Sequence, residues 1–199
     1  MIIDFLKAKE FGDFEVFLFL GFPKGFTVNK TFLIQFTDYF KEIEGDFNID
    51  IWRAISSGNV VYKDILHYVT QLKQSNKEAL DEALWYLLRE GVITRVGTKY
   101  SDVYNNIKKY KLIRQGYRYD FGYDGSSFAI RIEGEDKELD AHQRLIWKLA
   151  DGKSTVEEII NNINTQIKNE FSNHDTEIAS IKLAVAILFC VRNRYTYFI

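Results

Sequence analysis

Few of the residues able to do chemistry in this 199-residue chain stand at spacings that would let them do it. Glu157 and Glu158 come nearest to a carboxylate pair for acid–base work. Adjacent helix positions point apart, however, and two acids in a first turn already complement the helix dipole. His67, His142 and His174 lie in different segments without HxxxH or HxH spacing, and Cys190 is the only cysteine, so no zinc shell assembles from them. Ser126 and Ser127 lack a nucleophile-elbow pattern, and Cys190 sits in an apolar stretch where a buried, inert thiol is the default. Gly116, Gly122 and Gly125 are scattered hairpin glycines that form neither GxxxxGKS nor GxGxxG. The sequence therefore predicts no catalytic residue, no metal and no cofactor, and leads to the expectation that the chain is not an enzyme.

What remains is the chemistry of surfaces. Hydrophobic residues make up 46% and aromatics 16% of the chain, enough to fill packed cores. A net charge of −2 gives no bulk attraction for nucleic acid, which binds through displaced counterions. With a lone cysteine, no intramolecular disulfide is available, which fits a reducing cytoplasm. The opening MIIDFLKAKEFGDF places acids among its apolar residues and does not read as a signal peptide. The longest apolar run, Leu183 to Val191, is far short of the roughly 20 residues that span a bilayer. A cytoplasmic protein without a membrane partner is expected.

The chain repeats itself. IDIWRAISSGNVVYKDIL at 49–66 matches RLIWKLADGKSTVEEII at 144–160, with Trp52 against Trp147 and Gly58 against Gly152. Upstream, Lys41-Glu42-Ile43 matches Lys137-Glu138-Leu139. Residues 1–103 are read as the first domain, 104–115 as a basic linker containing Lys108, Lys109, Lys111 and Arg114, with a helical 107–113, and 116–199 as the second domain.

In the second copy, alternation at Tyr119, Phe121 and Tyr123 and again at Phe128, Ile130 and Ile132 flanks Asp124-Gly125, a hairpin with one buried face. A short strand near 137–139 leads to helices over about 142–150, 155 onward and 175–192, the second capped by Ser154 or Thr155. The first copy gives strands at 16–22, 31–36 and 39–43, helices at 47–56, 60–72 and 77–89, and a further strand at 92–96. Pro23-Lys24-Gly25 reads as a break between its strands. Trp52 and Trp147, mid-helix in apolar patterns, are assigned to the cores.

The run Leu145-Ile146-Trp147-Lys148-Leu149, Asp151-Gly152, Thr155-Val156-Glu157-Glu158-Ile159-Ile160, preceded by a hairpin and a short strand, resembles the PqqD family and its relatives, the RiPP recognition elements. The likeness covers about 116–199; the first copy departs from it with Ser57 before Gly58 and Tyr62 in place of Val156. It implies an α+β chain of two tandem winged helix-turn-helix domains, each a three-stranded antiparallel sheet followed by three helices. It further implies binding of the leader of a ribosomally made precursor peptide, for delivery to a separate modifying enzyme, with the leader added to a sheet edge. Carried over by position, the peptide edge is Asp136, Lys137, Glu138, Leu139 and Asp140, and the groove wall is Ile178, Ile181, Lys182 and Val185. A second peptide site in the first copy would use Phe40, Lys41 and Ile43 with Leu80, Ala83, Leu84 and Leu87. Two other functions remain open: a winged-helix DNA-binding regulator, disfavoured by Glu78, Asp81 and Glu82 in the first copy's third helix, and an accessory subunit of a larger enzyme.

Overall fold

The computed structural model describes residues 11–58, 60–97, 100–121, 127–170 and 176–199. His174, Gly122, Asp124, Gly125 and Ser126, all considered above, lie outside the described residues. The chain divides into two compact units, Met1–Thr98 and Lys99–Ile199. Both mix helices with small sheets, and every strand pairing among the described residues is antiparallel.

The first unit runs β1 (Phe17–Phe19), β2 (Phe22–Phe26), β3 (Phe32–Gln35), β4 (Phe40–Ile43), α1 (Asp46–Ser56), α2 (Tyr62–Leu72), α3 (Lys77–Arg89) and β5 (Ile93–Arg95). Strands β2, β3 and β4 form one sheet in that order, and β1 pairs with β5 in another. The apolar stretch 16–22, expected as one strand, is divided at Gly21 between these two sheets. Gly21 has φ +75, and a Cβ there would come within 2.6 Å of Ile34 and 2.8 Å of the Gln35 carbonyl, so only glycine turns this corner. Pro23, expected in a break, lies within β2; an edge strand tolerates proline because its missing N–H can face away from the ladder.

In the second unit α4 (Tyr100–Ile107) and β6 (Lys111–Arg114) precede β7 (Tyr117–Phe121), β8 (Ser127–Ile132), β9 (Glu135–Glu138), α5 (Ala141–Leu149), β10 (Asp151–Thr155), α6 (Val156–Glu170), α7 (Thr176–Arg192) and β11 (Thr196–Phe198). Strands β7, β8 and β9 form the counterpart of the β2–β3–β4 sheet, and β6 pairs between β10 and β11. Residues 104–115, expected as a linker with a helix over 107–113, instead carry the end of α4 and the central strand of a sheet. Ile107 and Leu112 are fully buried there, which an exposed connector would not allow. Gly116, with φ +76 and an ideal Cβ 2.4 Å from the Arg131 carbonyl, repeats the Gly21 corner.

After α4 the two units share one order of elements except for β10, which lies between α5 and α6 where the first unit has no named strand, and the repeat continues into the cores. Trp52 is 1% exposed and Trp147 5%. The Trp52 indole N–H donates to the Val92 carbonyl at 3.1 Å, and that of Trp147 to the Gln115 carbonyl at 2.8 Å. Phe32 lies 5.4 Å from Trp52 and Phe128 lies 5.7 Å from Trp147, ring to ring. Each pair packs a helix against the inner face of its three-stranded sheet.

Among the described residues no helix is long and apolar enough to cross a membrane. Trp52→Ala and Trp147→Ala are each expected to destabilise the protein by about 3 to 5 kcal/mol, through lost burial and the cavity left behind. Urea unfolding followed by circular dichroism measures this, and a loss near zero would show that the rings do not hold the units together.

Candidate functional site

The second unit presents an open strand edge beside an exposed apolar helix face. Strand β9 pairs on one side with β8, placing Ile130 opposite Lys137 and Arg131 opposite Asp136, and no described strand covers its other side. Just beyond it, the Leu139 N–H donates to the Phe128 carbonyl at 3.0 Å. Antiparallel ladders alternate, so the backbone of Lys137 also faces β8, whereas the N–H and C=O groups of Asp136 and Glu138 face the open edge. Leu139, expected to belong to the binding edge, spends its donor inward and is 7% exposed in the cluster of Phe128, Ile130, Ile132 and Trp147. Asp140 is also no edge residue: it caps α5, accepting from the Gln143 N–H while the Gln143 amide oxygen accepts from its own N–H.

The side chains of β9 hold its shape. Arg131 binds Asp136 across the strands through two hydrogen bonds of 2.6 and 2.8 Å, and this keeps the Asp136 carboxyl below its ordinary range. Glu135 pairs with Lys137 along the strand. The Glu135 carboxylate and, more weakly, the Tyr195 hydroxyl hold the Lys137 ammonium above its usual pKa. A Glu-Asp-Lys-Glu strand discourages self-pairing of the edge while leaving its backbone accessible.

Tyr195 connects this edge to α7. Its ring packs beneath the sheet and meets Phe189 at 6.2 Å. Phe189 is 46% exposed, and Val185, one turn earlier on the same face, is 37% exposed. Of the groove-wall residues expected from sequence, Lys182 and Val185 are exposed, Ile181 is half-buried, and the side chain of Ile178 lies outside the described residues. Sequence reasoning missed two contributors. Phe189 lies at helical spacing among the apolar residues of 175–192, where spacing alone cannot separate core from groove, and Tyr195 follows the helix with no motif to mark it.

The first unit closes the corresponding place. Counting back from Gly91 and Arg194, which end α3 and α7 with φ 63 and 60, Tyr86 stands where Phe189 does and Glu82 where Val185 does. The Tyr86 hydroxyl accepts from the Glu44 N–H at 3.1 Å, and the Lys41 ammonium donates to the Glu90 carbonyl at the end of α3, tying β4 to the helix. In the second unit Gln143 already satisfies the Asp140 N–H, so a phenylalanine is tolerated on α7. Leu80, Ala83, Leu84 and Leu87, expected as a second groove wall, are 0–3% exposed and form core. Ile43 is fully buried as well, and only Phe40, 56% exposed, and half-buried Lys41 remain accessible.

Groups whose types suggest chemistry have structural duties. Glu158 accepts from the Thr155 N–H at 2.7 Å while its own N–H donates to the Thr155 hydroxyl at 3.2 Å, a reciprocal cap at the start of α6. Glu157 hydrogen-bonds Tyr104, whose pKa is raised by burial and by that carboxylate. No group of three or more His, Cys, Asp and Glu able to hold a metal occurs among the described residues.

No family model matches the chain, and no curated protein matches it. Among solved structures it is similar to PKMT2 from Rickettsia typhi in complex with AdoHcy, with a TM-score of 0.40 and 13% identity. A second structure of PKMT2 from Rickettsia typhi gives a TM-score of 0.37 and 12% identity. Both matches cover 92% of this chain and 42% of the other, so the chain spans less than half the length of these neighbours. The expectation that the chain is not an enzyme is corrected here: the neighbours are PKMT2, one of them holding AdoHcy, and non-catalysis is not carried forward. A likeness of this degree assigns no activity, substrate or cofactor to this chain.

Burial, with a smaller contribution from Asp140, pushes the Cys190 thiol up to about 12. The thiolate is therefore absent at neutral pH, and its side chain is fully buried. Native protein should resist iodoacetamide at pH 8 for as long as it stays folded and react fully in denaturant, as read by intact mass. Rapid labelling of the native state would refute this burial.

Proposed function

We propose that the chain binds an extended peptide along β9, with the peptide's side chains lying against Val185 and Phe189 of α7, and that this peptide is the leader of a ribosomally made precursor presented to a modifying enzyme. In the same proposal the two units are tandem winged helix-turn-helix domains of the recognition-element type, with the second as the working site. The observation that carries this reading is the contrast between the units. At the two helix positions beside the edge strand, the first unit places Glu82 and Tyr86, the latter bonded to the backbone after β4, and the second leaves Val185 and Phe189 exposed. Backbone groups of Asp136 and Glu138 supply affinity by strand addition, and the apolar pair supplies selection for alternate side chains. Exposing two apolar side chains beside an unpaired edge is costly unless something covers them.

Selection from a displayed library of linear peptides, followed by hydrogen–deuterium exchange on the complex, tests this. Bound peptide should protect the amides of Asp136 and Glu138 and contact α7. Glu138→Pro removes a donor aimed at the open edge without touching the β8 ladder, and Val185→Glu places the first unit's charge in the groove. Each should weaken binding by about tenfold or more, a loss of roughly 1.4 kcal/mol, with circular dichroism unchanged. Protection at β4 and α3 instead, or unchanged affinity in both folded variants, would remove the site from β9.

A further inference from the structure

A second surface of the same unit carries four cations around the buried Phe128–Trp147 pair. The Arg144 guanidinium stands 5.0 Å from the Phe128 ring centre, that of Arg118 5.3 Å, and the Lys148 ammonium 5.4 Å. The Arg114 guanidinium stands 5.2 Å from the Trp147 ring and donates to the Lys148 carbonyl at 3.4 Å. Arg114, Arg118 and Lys148 are exposed and Arg144 is half-buried. Among the described residues, none of Arg114, Arg144 and Lys148 forms an ion pair with a carboxylate. The acid in nearest register is Asp120, whose backbone pairs with Phe128. Arg144 and Lys148, both over Phe128, are separated by no more than about twice their distance to the ring, on the order of the ~8 Å screening length at physiological salt, so they repel one another.

The fold does not require this charge, because its own repeat does without it. Aligning Gly21 with Gly116 puts Phe19 where Arg114 is, and Phe19 meets Trp52 at 5.9 Å as Arg114 meets Trp147. Aligning the tryptophans puts Ile49, 2% exposed, where Arg144 is. The one cation common to both units is the residue after the tryptophan, Arg53 over Phe32 at 5.1 Å and Lys148 over Phe128. The second unit therefore replaces two buried apolar side chains of the first with arginines at one spot.

We infer that this cluster is a docking surface for an acidic polypeptide segment, separate from the β9 edge. Guanidinium groups pair with carboxylates through two parallel hydrogen bonds, and the cations come from three elements, β6, β7 and α5, so an extended segment with several carboxylates matches them. A nucleic-acid strand fits less well. The rings under the cations are 3% and 5% exposed and offer no stacking platform, and the chain as a whole carries net negative charge.

The test uses fluorescence anisotropy of the full chain with three labelled probes: a twelve-residue peptide alternating Glu and Gly, the same peptide with Gln for Glu, and a twelve-nucleotide single-stranded RNA. The Glu peptide should bind, weaken as salt rises, and be preferred over both others. Arg114→Phe with Arg144→Ile, which installs the first unit's residues, should reduce binding by about tenfold or more, and Arg114→Gln with Arg144→Gln should do the same if the apolar pair disturbs folding. Phe189→Ala, in the proposed peptide groove, should leave binding of the Glu peptide unchanged, so the two sites fail or stand separately. Equal binding of the Gln peptide, tighter binding of RNA, or wild-type affinity in both double variants would each overturn the proposal.

Discussion

In each unit a tryptophan indole is sealed between a helix and the inner face of a three-stranded sheet, and its N–H must find an acceptor there. Leaving that donor unpaired would cost about 1 to 3 kcal/mol. The acceptors, the carbonyls of Val92 and Gln115, belong to the junction where the chain enters its glycine corner and where it leaves its last helix. The Leu20 N–H shares the Val92 carbonyl, and the Gln115 N–H donates to the Tyr195 carbonyl. Satisfying one indole therefore fixes the helix, the corner and the end of the last helix together. The sheet's inner face follows, and with it which residues of β4 and β9 turn toward the core.

On that shared frame the units differ in how they treat the strand edge. The first unit uses a lysine to cover carbonyls at the end of α3 and a tyrosine to satisfy a backbone N–H after β4. The second has a capping box at the same backbone position and pairs its edge lysine with Glu135. These are local substitutions, yet they leave one helix–edge junction closed and its counterpart open, with Val185 and Phe189 exposed beside it. Around the aromatic pair the divergence runs from apolar to charged, at Phe19 and Arg114 and at Ile49 and Arg144. Duplication lets one copy keep the packing while the other changes its surface, because the corner glycines and tryptophans that hold the frame are retained in both.

Much of the frame was legible in the sequence. Helical periodicity located α1, α2, α3, α5 and α6, alternation located β3 and β8, and the match of Lys41-Glu42-Ile43 to Lys137-Glu138-Leu139 coincides with the register in which Lys41 faces Ile34 and Lys137 faces Ile130. Those features depend on residues a few positions apart, so the sequence by itself determined them, along with the repeat and the buried tryptophans. It did not determine that 104–115 supplies a central strand, because β6 is completed by β10 and β11, the latter from the far end of the chain. Nor did it separate core from groove along the last helices. Leu84 and Val185 are both apolar residues at helical spacing, and only the packing of neighbouring elements buries the first and exposes the second. Leu139 reads as an edge residue by position, but its N–H is already spent on β8. Tertiary structure decided these points because exposure and hydrogen-bond direction depend on which distant segments pack against a residue, and local pattern carries no record of them.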